Sequence, residues 1–165
     1  GHGLPDEVTK EPYLMPVDVS GKNAKGGIKL QDVYAKLTQY PSQKITVFID
    51  ACFSGGARNQ GLLAARSVKI KPRASELSGN LVTFTSSSGS QSSLPLNDEA
   101  HGLYTYYLLK KLKETGGDIT YKALSDYLKD HVALQSVLLN DKEQIPQTNI
   151  SYSITGEWRN WKLNE

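Results

Sequence analysis

The chain has 165 residues, enough for one ordinary domain that buries about two-thirds of the surface its unfolded form would expose. Hydrophobic residues make up 38% and charged residues 22%, which excludes a disordered chain, and no run approaches the roughly 20 apolar residues that cross a bilayer. The net charge of +2 comes with no basic stripe or interleaved aromatics, so neither a nucleic-acid nor a membrane partner is expected, and without a signal-peptide pattern the expectation is a cytoplasmic protein.

In chain order, Ile28, Leu30, Val33, Tyr34 and Leu37 recur near helical spacing and predict an amphipathic helix over 29–39, stopped by Pro41. Residues 44–51, Lys-Ile-Thr-Val-Phe-Ile-Asp-Ala, form a β-branched apolar run that reads as a buried strand, central in a parallel sheet and ending at Cys52. Gly55 and Gly56 then open a long segment with Arg58, Arg66, Lys69, Lys71 and Arg73 among small residues, and 56–80 reads as a flexible loop. Leu81 to Thr85 is a second strand, running into the polar loop Ser86 to Ser93.

Leu103, Tyr106, Tyr107 and Leu112 predict a helix that Gly116-Gly117 ends, and another follows over 120–131 with an extension toward 138. Residues 148–154 alternate polar and apolar like a half-exposed edge strand. Helices alternating with strands predict a doubly wound α/β domain, in which ligands bind beyond the carboxyl ends of the strands. Cys52 and the serine loop both fall there.

One cysteine leaves no internal disulfide and no multi-cysteine metal site, so Cys52 is either an inert core thiol or a reactive one. A reactive cysteine needs a histidine near it in space and backbone N–H groups to hold an oxyanion. Of the three histidines, His2 precedes Cys52 by 50 positions and is flanked by Gly1 and Gly3, which allow close backbone approach. His101 repeats the His-Gly pair and is the rival, whereas His131 falls on a helix face.

Gly1-His2-Gly3, then Tyr13 to Asp18, Ile45 to Gly55, Gln91-Ser92 and His101 to Leu109 follow one another over nearly the whole chain. Together they resemble the bacterial caspase homologues, a group that includes metacaspases and orthocaspases. The spacing of His2 and Cys52 is also that of the caspase signature, in which the histidine lies about 50 residues before the cysteine. The resemblance implies a caspase-like three-layer sandwich with a mostly parallel sheet. In that group the histidine follows the third strand and the cysteine the fourth. About 70 to 90 upstream residues are then implied, and residues 1–165 are the C-terminal two-thirds of a catalytic domain completed by an N-terminal segment or a second chain.

The resemblance further implies a cysteine endopeptidase acting on protein or peptide substrates, with Cys52 as nucleophile, His2 as general acid and base, and the N–H groups of Gly3 and Cys52 as oxyanion hole. Asp50 stands two residues before the nucleophile, on the same side of an extended strand. Caspases that cut after aspartate carry glutamine there, while meta-, ortho- and paracaspases, which cut after arginine or lysine, carry aspartate; the expectation is cleavage after Arg or Lys, against the plainer role of capping a nearby backbone N–H. Gln91, Ser86 and Ser88 are expected on the pocket rim. Arg66, Lys69, Lys71 and Arg73 become candidate self-cleavage sites, if they are not simply part of a solvated linker. Asp6, Glu7 and Glu11 lack the dense acidic pattern of calcium-binding metacaspases, so no metal and no cofactor are expected. The rival readings are a catalytically silent interaction domain of the same fold and an unrelated phosphate-cradling loop, the latter without any Gly-x-x-x-x-Gly-Lys run.

Overall fold

The computed structural model describes residues 1–19, 24–53, 70–89, 91–96 and 101–165. The first 29 residues carry a feature that periodicity did not predict, a small antiparallel sheet of β1 (His2–Pro5), β2 (Pro12–Met15) and β3 (Ile28–Lys29). Its first ladder pairs His2 with Met15 and Gly3 with Leu14, and closes at Pro5 and Pro12, where a ladder can lose its N–H donors. The connecting turn is built on Asp6, whose Oδ1 accepts the N–H groups of Val8 (3.0 Å) and Thr9 (2.8 Å). These bonds, that of Thr9 foremost, hold the Asp6 carboxyl below the usual carboxylate range.

Helix α1 (Leu30–Leu37) follows, shorter than the expected 29–39 because Thr38 already leaves helical geometry and its hydroxyl donates back to the Tyr34 carbonyl (2.9 Å). The main ladder pairs β4 (Ile45–Ile49) parallel to β5 (Leu81–Thr85), and β5 antiparallel to β8 (Gln147–Ile150). The short pair β6 (Pro95–Leu96) and β7 (His101–Gly102) leads into α2 (Leu103–Thr115), and α3 (Tyr121–Asn140) precedes β8.

Alternation along β5 divides the core into two layers, because successive side chains leave opposite faces of a strand. Leu81 packs with Leu30, Tyr34, Ile49 and Ala51 under α1, whereas Val82 and Phe84 pack with Tyr104, Leu108, Tyr121, Leu124 and Leu128 under α2 and α3. Helices therefore cover both faces of a mixed sheet, and the three-layer α/β expectation holds. Burial pushes the Tyr34 hydroxyl up to about 12, with Thr83 as its hydrogen-bond partner.

Boundaries differ from the expectations where local pattern competes with packing. The anticipated edge strand over 148–154 ends at Ile150, and Tyr152–Ile154 winds into a 3-10 turn that buries Ile154 in the core. The helix after Gly117 runs the full 20 residues to Asn140, with Leu134, Val137, Leu138 and Leu139 exposed along its last turns. Gly116 ends α2 in the left-handed conformation, as the glycine pair predicts. Strand β4, expected to be central, has β5 as its one ladder partner among the described residues, and Ile45 to Phe48 are only half-buried; the fully enclosed strand is β5.

Of the expected loop over 56–80, positions 56–69, with Arg66 and Lys69, lie outside the described residues. Residues 70–78 have no regular secondary structure and are nevertheless tied down. The Arg73 N–H donates to the Lys10 carbonyl (2.7 Å), and the Gln31 side chain both accepts from the Glu76 N–H (2.8 Å) and donates to the Glu76 carbonyl (3.0 Å). Lys71 and Arg73 are exposed on this anchored stretch.

Candidate active site

Beyond Ile49 the chain leaves the β4 ladder and meets the start of β1. The Gly1 nitrogen donates to the Asp50 carbonyl (2.6 Å), and a parallel bridge pairs His2 with Cys52. Bridged residues on adjacent strands project to the same side, with backbones about 4.7–4.9 Å apart. Two residues 50 positions apart are thereby neighbours at the carboxyl end of β4, His2 exposed and Cys52 buried at 6% exposure.

The local backbone depends on Gly3. A Cβ at that position would lie 2.4 Å from the Phe53 ring and 2.8 Å from the Cys52 carbonyl, so only glycine lets the Cys52-Phe53 segment cross so near β1. Gly3→Ala is expected to lower stability by about 1–3 kcal/mol through this overpacking, read as a lower denaturation midpoint; an unchanged midpoint would mean that the contact relaxes without consequence.

Strand alternation continues past β4. Ile49, Ala51 and Phe53 pack in the α1 layer and Phe48 in the α2–α3 layer, which directs Asp50 and Cys52 together toward α2. The Asp50 Oδ2 accepts a hydrogen bond from the Thr105 hydroxyl (2.7 Å) in the first turn of α2. Burial pushes the Tyr104 hydroxyl well above its ordinary value, the Asp50 charge adds to the effect, and that hydroxyl donates to the Phe84 carbonyl (3.1 Å).

The serine loop meets Cys52 from the other strand end. The Ser93 N–H donates to the Cys52 sulfur (2.6 Å), and the thiol faces the Ser93 carbonyl at 3.6 Å. Ser86, expected on a pocket rim, is instead fully buried: β5 carries the chain inward, its N–H continues the ladder to the Ile49 carbonyl (2.8 Å), and its hydroxyl is bonded to that of Ser93. Ser88 is half-buried in a turn closed by the Gln91 N–H on its carbonyl (3.0 Å). Gln91 accepts from the Ile145 N–H (2.9 Å) and donates to Glu143 (2.8 Å), and so pins that turn to the segment after α3.

Two contributors were given no role by the sequence: Thr105, inside the His101–Leu109 run and 55 positions after Asp50, and Gln144, a polar residue in a connecting segment. Their relation to the site is made by folding. His101 begins β7 opposite Leu96, and Gly102 behind it opens α2, which leaves the bridge to Cys52 with His2. His131 lies on the exposed face of α3, where its ring stacks on Tyr127 (4.0 Å). Among the described residues no group of three or more His, Cys, Asp or Glu side chains could hold a metal ion, and no helix is long and apolar enough to cross a membrane.

The family model described as the caspase domain matches residues 1–154. Among solved structures, the chain is similar to the crystal structure of caspase-1 from Spodoptera frugiperda, at 22% identity and a TM-score of 0.40, over 62% of this chain and 41% of that one. No curated protein matches it.

Proposed function

The chain belongs to the caspase domain family, a family of cysteine peptidases, and on that footing we propose that it is an endopeptidase cutting after Arg or Lys, with Cys52 as nucleophile and His2 as general acid and base. The parallel bridge between His2 and Cys52 carries the reading, since it sets the backbones of the two residues side by side at the strand end.

The chemistry follows from those two side chains. The Cys52 sulfur bonds to the scissile carbonyl carbon, and the carbonyl oxygen takes the electron pair and is held by the N–H groups of Gly3 and Cys52. His2 gives the proton taken from the thiol to the leaving amine, the C–N bond breaks, and an acyl-enzyme remains. Water then attacks the thioester with His2 as base, releasing the new carboxylate and restoring the thiol. Asp50, on the same face as the nucleophile, supplies the negative charge that favours a cationic side chain before the cleaved bond.

Two further elements belong to this reading. The outer edge of β4, half-exposed from Ile45 to Phe48, suits a further strand from another part of the protein or from a second chain. Arg66, Lys69, Lys71 and Arg73 are self-cleavage sites. Of these, Lys71 and Arg73 are exposed but stand next to the Gln31–Glu76 clasp.

Fluorogenic peptides ending in Arg, Lys or Asp test the proposal: the protein is expected to release fluorophore from the first two at least tenfold faster than from the third, and to convert itself to shorter bands on prolonged incubation. Preference for Asp would sink the pocket assignment, and a persistent single band in an active preparation the self-cleavage. No hydrolysis of any peptide would favour the silent interaction domain.

A further inference from the structure

Beneath the serine loop lies a fully buried polar network that the proposed reaction does not account for. Gln144, 0% exposed, donates from Nε2 to the Ser86 carbonyl (2.9 Å) and accepts at Oε1 from the Leu94 N–H (2.7 Å), so one side chain holds both ends of the loop. Its own N–H donates to the Ser136 hydroxyl (2.9 Å), which anchors it to α3. Inside this bracket the Ser86 and Ser93 hydroxyls are bonded to each other, both fully buried, and the Ser93 N–H is directed onto the Cys52 sulfur (2.6 Å).

A buried amide is costly unless its polar atoms are satisfied, so a residue whose task is only to fill space is ordinarily apolar. Both ends of this amide are used, one on the Leu94 N–H next to Ser93 and the other on the Ser86 carbonyl at the far end of the loop. An N–H held on the sulfur fixes where its lone pairs point, and with that the line along which Cys52 can attack an electrophile. Building on the reading of Cys52 as nucleophile, we infer that Gln144 is a positioning residue for that sulfur: it locks the Ser86–Leu94 loop so that the Ser93 N–H stays on Cys52. Gln91 ties the same loop to Ile145 and Glu143.

Alkylation of Cys52 by iodoacetamide, followed by peptide mass spectrometry, tests the inference without any need for peptidase activity, so a failed assignment of function leaves it readable. At pH 7, Gln144→Met is expected to slow alkylation by ~5- to 10-fold, and Ser86→Ala, a smaller change that keeps the fold if the first does not, by ~2- to 5-fold. In urea, where the unfolded loop no longer holds the sulfur, all rates should agree within about twofold. Circular dichroism confirms that each variant is folded. Faster alkylation of the folded variants would mean that the loop merely covers the thiol, and equal rates of the folded proteins would mean that the Ser93 N–H does nothing for it; either result overturns the inference.

Discussion

Cys52→Ala is expected to abolish hydrolysis of Arg- and Lys-terminated peptides, and His2→Ala to lower kcat by ~10²- to 10⁴-fold, the range general acid–base catalysis contributes. The first effect is the larger because no covalent intermediate can form without the sulfur. In His2→Ala a thiolate can still form, and water can carry the proton poorly. On the proposed reading the two groups act as a unit, so the double variant should be no worse than Cys52→Ala alone. Fold and chemistry separate cleanly in this experiment. Cys52 is a small buried side chain, and truncating it should move the thermal midpoint far less than it moves the rate. Hydrolysis surviving in the alanine variant would place the nucleophile elsewhere, with the Ser93 hydroxyl the neighbour to examine next.

What the sequence revealed of this arrangement depended on how far each residue's task is local. Ile45–Ile49 and Leu81–Thr85 were legible because a strand enclosed by helices needs β-branched and aromatic residues in unbroken runs. Gly116 was legible because a left-handed helix end favours glycine. The hairpin β1–β2 was not, since four-residue strands bounded by Pro5 and Pro12 are too short to show a period, and their pairing rests on an Asp6 turn whose bonds are invisible to hydropathy. Of the central place expected for β4, the described residues show one ladder partner, β5. An apolar run says that a strand is to be covered, and Ile45 to Phe48 remain half-exposed among the described residues.

At the site, the His2–Cys52 spacing was readable as a pattern, but its supports were not. Thr105 meets Asp50 across 55 positions, and Gln144 meets Leu94 and Ser86 across 50 and 58. Polar residues that serve a site through tertiary contacts carry no periodic or motif signature, because their partners are chosen by the fold. Ser86 illustrates the converse. A serine-rich run at a strand end reads as a solvated rim, yet the strand still carries its next residue inward, and the buried hydroxyl finds a partner in Ser93.

Asp50→Ala is expected to lower kcat/KM for Arg and Lys substrates by ~10- to 100-fold, the loss of a hydrogen bond to a charged group. The same variant should leave a substrate ending in the uncharged isostere citrulline within about threefold of its original rate, because that side chain brings no charge for the carboxylate to meet. This contrast separates recognition from support. If Asp50 serves chiefly to tie the end of β4 to α2 through Thr105, its removal loosens Cys52 two residues on, and every substrate slows together. Ionic strength supplies a second axis: a pocket that works by charge loses discrimination between arginine and citrulline as salt screens the pair, whereas a structural tie between a carboxylate and a threonine hydroxyl is much less sensitive. An arginine preference that survives in Asp50→Ala would transfer the basic specificity to another acidic group, and one unmoved by salt would mean that it does not rest on charge.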